Sequence, residues 1–136
     1  MIRKTKLILG ATIAVLILAA CSGGSPQIDL ETEQIDLGDV TNGEIVEWDI
    51  LLSNTGNAPL EIQSVSASCG CTTATVDRTL IPPGEDAVLH IRFDSGAHGP
   101  DLVGEFSRQI FIASNDADRP EIRIDFTANL VIGAAQ

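Results

Sequence analysis

Residues 44–62, EIVEWDILLSNTGNAPLEI, decide how this chain folds. Val46, Trp48, Ile50 and Leu52 fall at every second position, with Glu47 and Asp49 between them, and a period of two marks a half-buried strand. The alternation stops at Asn54-Thr55-Gly56-Asn57-Ala58-Pro59, residue types that favour a turn. Leu60 and Ile62 then resume it, and Val65 falls out of period as a bulge would place it.

The same pattern runs outward in both directions. Leu89, Ile91 and Phe93 alternate with His90 and Arg92 in AVLHIRFD, and Ile122, Ile124 and Phe126 alternate with Arg123, Asp125 and Thr127 in EIRIDFTAN. EFSRQIFIASN is less clean, because Arg108 shares a face with Phe106, Ile110 and Ile112. QIDLETEQIDLG reads as a first strand with a break in it. Turn signals separate the runs at TNGE, NTGNAP, PPGED and SNDADRP, and the one long connection is DSGAHGPDLVG, residues 94–104. No segment carries a sustained helical period. Short strands at roughly ten-residue spacing predict an all-β sandwich of two antiparallel sheets with about seven strands.

The N-terminus reads as a targeting segment. MIRKTK places Arg3, Lys4 and Lys6 ahead of any acidic residue, and residues 7–20, LILGATIAVLILAA, carry no charge. This run is shorter than the ~20 apolar residues that span a bilayer and suits the apolar region of a secretory signal. It ends in LAAC, residues 18–21, which resembles a bacterial lipobox, in which the cysteine is lipidated and becomes the first mature residue. The expected organisation is a lipoprotein signal over 1–20, lipidated Cys21 with a flexible tether over 21–27, and a sandwich over 28–132. Lipid on Cys21 would hold the domain on the cell membrane or outer membrane, facing outside the cytoplasm, since two or more acyl chains suffice for stable anchoring.

Charge narrows the partners. After Cys21 the chain carries 5 arginines against all 19 of its Asp and Glu residues, a formal net charge of −14. A nucleic-acid binder needs a basic footprint, so that class is excluded. An acidic balance of this kind keeps an exported domain soluble.

DLGDV, LLSNTGNAPLEI, SCGCTT, IPPGEDAVLHIRFDS and GEFSRQIFIASND occur in this order and together resemble the bacterial domain-of-unknown-function family fifteen-seventy-three. The resemblance covers roughly residues 28–131, and NTG…PL, CGC and PPG are its specific elements. It implies an immunoglobulin-like sandwich, similar to the ASH and major-sperm-protein domains, located outside the cytoplasm. Residues 94–104 form a longer connection than is usual in the family.

With Cys21 assigned to lipid, Cys69 and Cys71 remain. In an extended strand, side chains at i and i+2 share a face, with α-carbons about 6.6–7 Å apart, near the upper limit for a disulfide. Gly70 permits a bend that shortens that distance. Three readings stay open: a bridge or turn without chemistry, a reversible dithiol–disulfide couple, and capture of a soft metal. Two thiolates suit copper or zinc, although a closed zinc site takes four ligands. Only His90 and His98 could add a nitrogen. His90 falls on the polar face of its strand, whereas His98 lies in the long loop, where binding residues concentrate; His98 is therefore the additional metal candidate. No other cofactor is expected.

SNDADRP begins like a calcium loop, but Pro120 and Phe126 occupy the positions that need Gly and Glu, so turn chemistry accounts for it. GxSxG, HExxH and a Gly-rich phosphate loop are absent, and no catalytic residue is assigned. The expected function is a membrane-anchored extracytoplasmic module that binds or scaffolds another envelope protein, and not an enzyme. The alternative is a thiol module that binds copper or zinc, or exchanges disulfides, through Cys69 and Cys71.

Overall fold

The computed structural model describes residues 23–133; the expected signal segment and Cys21 lie outside them. The strands are β1 (Ile28–Leu30), β2 (Gln34–Thr41), β3 (Ile45–Asn54), β4 (Leu60–Ala67), β5 (Thr72–Val76), β6 (Leu80–Ile81), β7 (Asp86–Asp94), β8 (Gly104–Ser114) and β9 (Glu121–Val131). They form a sheet of order β1-β3-β7-β5 and a second of order β2-β9-β8-β4-β6, and no helix occurs among the described residues.

Among the described residues the sandwich is thus present, with nine strands and one parallel pair. Both differences from the sequence reading have a local cause. The break at Glu31–Glu33 lets the first strand change sheets: β1 pairs antiparallel with β3, and β2 pairs parallel with β9. Parallel strands need a long connection between them, and here the chain through β3–β8 supplies it. β6, two residues long, adds a short rung beside Leu60 and Glu61. The out-of-period Val65 follows a register shift in the β4–β8 ladder between Ile62 and Ser64.

The apolar positions of each alternating run face inward. Ile50 and Leu52 of β3, Leu89, Ile91 and Phe93 of β7, Ile110 and Ile112 of β8, and Ile122, Ile124 and Phe126 of β9 are all buried. Each such side chain contributes roughly 1.5–3 kcal/mol by leaving water. Aromatic rings form a column through this core: Trp48 meets Phe126 edge-on at 5.4 Å, Phe126 meets Phe93 at 5.4 Å, and Phe93 stacks on Phe106 at 5.1 Å.

The connections divide between two ends. The β2–β3, β4–β5 and β7–β8 connections lie at one end, and β3–β4, β6–β7 and β8–β9 lie at the other, about 30 Å away along the ten residues of β3. The chain enters at the second end. Asn54 is 1% exposed there and satisfies its whole amide: Nδ2 donates to Ala58 O (2.8 Å) and Ile81 O (2.9 Å), while Oδ1 accepts from Gly56 N (3.0 Å) and Gln27 N (3.3 Å). Within the expected tether, Ser25 N donates to Asn57 Oδ1 at 2.8 Å and Asn57 N donates to Ser25 O at 3.0 Å. Gly56 makes this approach possible, because a Cβ there would fall 2.2 Å from Ser25 O.

Asp116 ties the same end to β1. Its Oδ1 accepts from Asp118 N and Arg119 N, the turn read in SNDADRP, and its Oδ2 accepts from Ile28 N at 2.9 Å. Burial opposes ionisation of this carboxyl, but the backbone donors of Ile28, Asp118 and Arg119 and the Arg119 charge together outweigh it and hold its pKa below the ordinary value. A depressed folded-state pKa contributes stability that is complete above the unfolded value, about 3.9, and is lost as pH falls below it. Urea unfolding at pH 6 should show Asp116→Asn less stable than wild type by about 1–3 kcal/mol. At pH 3 that gap should narrow, and a gap independent of pH would contradict the assignment.

Candidate functional site at the Cys69–Cys71 corner

β4 belongs to the second sheet and β5 to the first, so residues Ser68–Cys71 carry the chain across the sandwich. Ser68 makes the last rung to β8, donating its N–H to Gln109 O (2.9 Å) while its Oγ accepts from Gln109 N (3.0 Å). Cys71 makes the first rung to β7, its carbonyl accepting from Asp94 N at 2.8 Å. Between these rungs Cys69 and Cys71 are joined as a disulfide, with α-carbons 5.3 Å apart. That span is shorter than an extended chain allows, and the turn at Gly70 provides the contraction. Cys71 is buried and Cys69 half-buried, and Thr72 Oγ1 lies 3.6 Å from each sulfur.

The two histidines separate. His90 stands exposed on β7 opposite Thr75, with Nδ1 2.7 Å from Asp49 Oδ1. His98 comes to the corner: one of its ring nitrogens and the two cysteine sulfurs all lie within 4.8 Å of one another. The long connection reaches this position because it is fastened to the β2–β3 turn. Asn42 Nδ2 donates to Gly99 O (3.0 Å) and Leu102 O (2.7 Å), and Ser95 Oγ donates to Thr41 O (3.0 Å) and Glu44 O (2.7 Å). Gly99 takes a φ of +102°, where an L side chain would be strained.

Two further residues complete the cluster. The His98 ring lies 6.0 Å from the buried Phe106 ring, and the Arg108 guanidinium sits 3.9 Å from the centroid of that same ring. The signal for Arg108 was its place on an apolar face, beside Phe106 and Ile110, where a charged side chain needs a partner. The aromatic column through the core therefore ends in a histidine, an arginine and a disulfide.

A groove of about 670 Å³ lies elsewhere, on the outer face of β2, β9 and β8. Asp36, Asp39, Glu105, Ser107, Thr127 and Asn129 line it, with no cysteine or histidine among them. Asp39 Oδ1 there accepts from Asn129 Nδ2 at 2.7 Å.

Two sheets with this connectivity define an immunoglobulin-like sandwich, and solved structures of ASH and PapD-like domains share the fold. An ASH / PapD-like domain of human CEP192 superposes with a TM-score of 0.62 at 12% identity, covering 98% of this chain and 99% of that one. The periplasmic chaperone SfaE gives 0.54 at 10% identity, covering 79% and 58%. A protein of unknown function from Porphyromonas gingivalis W83 gives 0.71 at 30% identity, covering 78% of this chain; the chain spans 47% of that protein's length. No curated protein matches the sequence. A family model matches residues 28–130, and the chain belongs to that family, described as Protein of unknown function (DUF1573).

A disulfide between residues separated by two positions closes a loop of three residues. Chain entropy then limits its contribution to about 1.6 kcal/mol. Urea unfolding with and without a dithiol reductant should differ by about that amount, with the reduced chain still folded. Complete unfolding on reduction would show that the bridge holds more than its own loop.

Proposed function

We propose that this chain is a lipid-anchored extracytoplasmic binding module that takes up an extended segment of another envelope protein along the edge of β5. The observation that carries this reading is the absence of charge on that edge. Sheet edges of soluble proteins are normally blunted by charges, bulges or covering loops, because an exposed ladder invites pairing. β2 follows the rule: it carries Asp36 and Asp39, with a register shift between them at the positive-φ Gly38. β1 carries Asp29 and is three residues long. Residues 62–76, IQSVSASCGCTTATV, have no charge at all in a chain that is 20% charged. They include the whole of β5, the terminal strand of its sheet.

The ladder shows which groups are offered. Cys71 O accepts from Asp94 N, and Asp77 N donates to Val88 O, so odd-numbered residues bond to β7. Thr72, Ala74 and Val76 therefore turn their backbone groups the other way. Thr72 N is taken by Cys69 O at 3.4 Å. The carbonyl of Thr72 and both backbone groups of Ala74 and Val76 face an edge at which no strand is paired among the described residues. Strand addition on such an edge takes affinity from main-chain bonds and specificity from alternate side chains. Ile45, Val103 and Ile132, three of the exposed large apolar residues, stand at the same end of the sandwich as the start of β5. The fold likeness to a periplasmic chaperone and to an ASH domain agrees with a binding role.

The anchor sets the orientation. The chain enters the sandwich at the Asn54 end, so lipid on Cys21 would leave the Cys69–Cys71 end pointing away from the membrane. Cys21→Ala in full-length chain should move the protein from the membrane fraction to the soluble exported fraction, and continued membrane retention would refute the anchor.

For the edge, a photo-crosslinking residue at exposed Thr73 of the full chain should give a discrete protein adduct in intact envelopes. Ala74→Pro removes an outward N–H while sparing the bonds to β7, and should abolish the adduct. The same crosslinker at Asp39 should give none. An unchanged adduct with Ala74→Pro, or no adduct at Thr73, would refute strand addition at β5.

A further inference from the structure

The cluster of Cys69, Cys71 and His98 holds more chemistry than a bridge uses. We infer that, once reduced, these three residues bind one monovalent soft metal ion, Cu(I), and that the disulfide is the closed, metal-free state of this site. The inference is independent of the binding role of β5, because it concerns side chains and not the strand edge.

The donor set carries the argument. Two sulfurs and an imidazole nitrogen already lie within 4.8 Å of one another. Donors held at about 2.0–2.3 Å from a common ion stand about 3.3–4 Å apart, so His98 needs little movement. The sulfurs must separate once their bond is broken, and Gly70 between them has no side chain and open space where a Cβ would be. His98 is exposed on its loop, with Gly99 beside it, so its ring can close on an ion without disturbing the core.

Donor number and softness select the ion. Thiolates and imidazole suit Cu(I) and zinc; zinc on three protein ligands still needs a water in its fourth position, whereas softness and a low coordination number fit Cu(I) to these donors alone. No fourth Cys, His, Asp or Glu joins the three among the described residues. Three donors of this type complete a trigonal Cu(I) site. Two thiolates around one monovalent cation leave a net negative charge, and the nearest cation identified is Arg108, whose guanidinium lies on the Phe106 ring that His98 also approaches.

The electron balance is simple. A dithiol donor transfers two electrons and two protons to the Cys69–Cys71 bond and departs as its own disulfide. The resulting thiols each release a proton on binding Cu(I), whose oxidation state does not change. The oxidised chain, with both sulfurs in a covalent bond, offers no thiolate and stays empty.

The test uses the full chain in detergent, reduced with a phosphine and titrated anaerobically against the coloured Cu(I)–bicinchoninate complex. Reduced protein should withdraw one Cu(I) per chain, and the oxidised protein none. His98→Gln, a change on an exposed loop that leaves the fold in place, should weaken binding at least tenfold, and Cys69→Ser with Cys71→Ser should abolish it. Failure of the reduced chain to compete, equal affinity of His98→Gln and wild type, or withdrawal of copper by the oxidised chain would each overturn the site.

Discussion

The rest of the sandwich is organised around the buried amide of Asn54. A primary amide can make four hydrogen bonds, and here it makes all four in a site that water does not reach. Its partners belong to the incoming segment, to the turn after β3 and to β6, so one side chain fixes where the chain enters and how β4 departs for the second sheet. An apolar residue at position 54 would strand several of these backbone groups without partners, each at a cost of about 1–3 kcal/mol. The position of β4 in turn fixes the corner that follows it.

That dependence runs the length of the molecule. β4 is set at its start by Asn54 and Asn115, whose Oδ1 accepts from Glu61 N. It then runs beside β8 until Ser68, and the crossing at Cys69–Cys71 delivers β5 to β7 one residue later. The disulfide spans the step between the last rung to β8, at Ser68, and the first rung to β7, at Cys71. Its small entropic contribution is consistent with a local function, namely keeping a four-residue crossing in a single shape. Asp116 has the corresponding role at the opposite end, joining β1 to the β8–β9 turn with a carboxylate that the backbone keeps ionised.

Much of this was legible in the sequence because alternation and turn chemistry are local. Val46 to Leu52, Leu89 to Phe93 and Ile122 to Phe126 each declare their inward face through period two alone. The break in QIDLETEQIDLG was visible, but the parallel pairing of β2 with β9 was not, since it joins residues about ninety positions apart and no local pattern encodes it. The corner divides the same way. Cys69 and Cys71 announce themselves, and the long connection singled out His98, yet their meeting depends on Asn42 and Ser95 fastening that loop across the end of the sandwich. Arg108 was visible only as an irregularity in an apolar face. Its explanation, the Phe106 ring beneath the guanidinium, required the fold.

The uncharged run 62–76 is the feature that joins these threads. After Cys21 the chain carries a formal net charge of −14, yet fifteen consecutive residues, 62–76, form a strip of sequence without any charge. The strip contains both the cysteine pair and the open edge of β5, and the two meet at Thr72. Its N–H is held by Cys69 O, its hydroxyl lies against both sulfurs, and its carbonyl is the first group of the unpaired ladder. The conformation of the crossing therefore sets the starting register of the edge. The corner and the edge of β5 thus meet at one residue, within the stretch of sequence from which charge is absent.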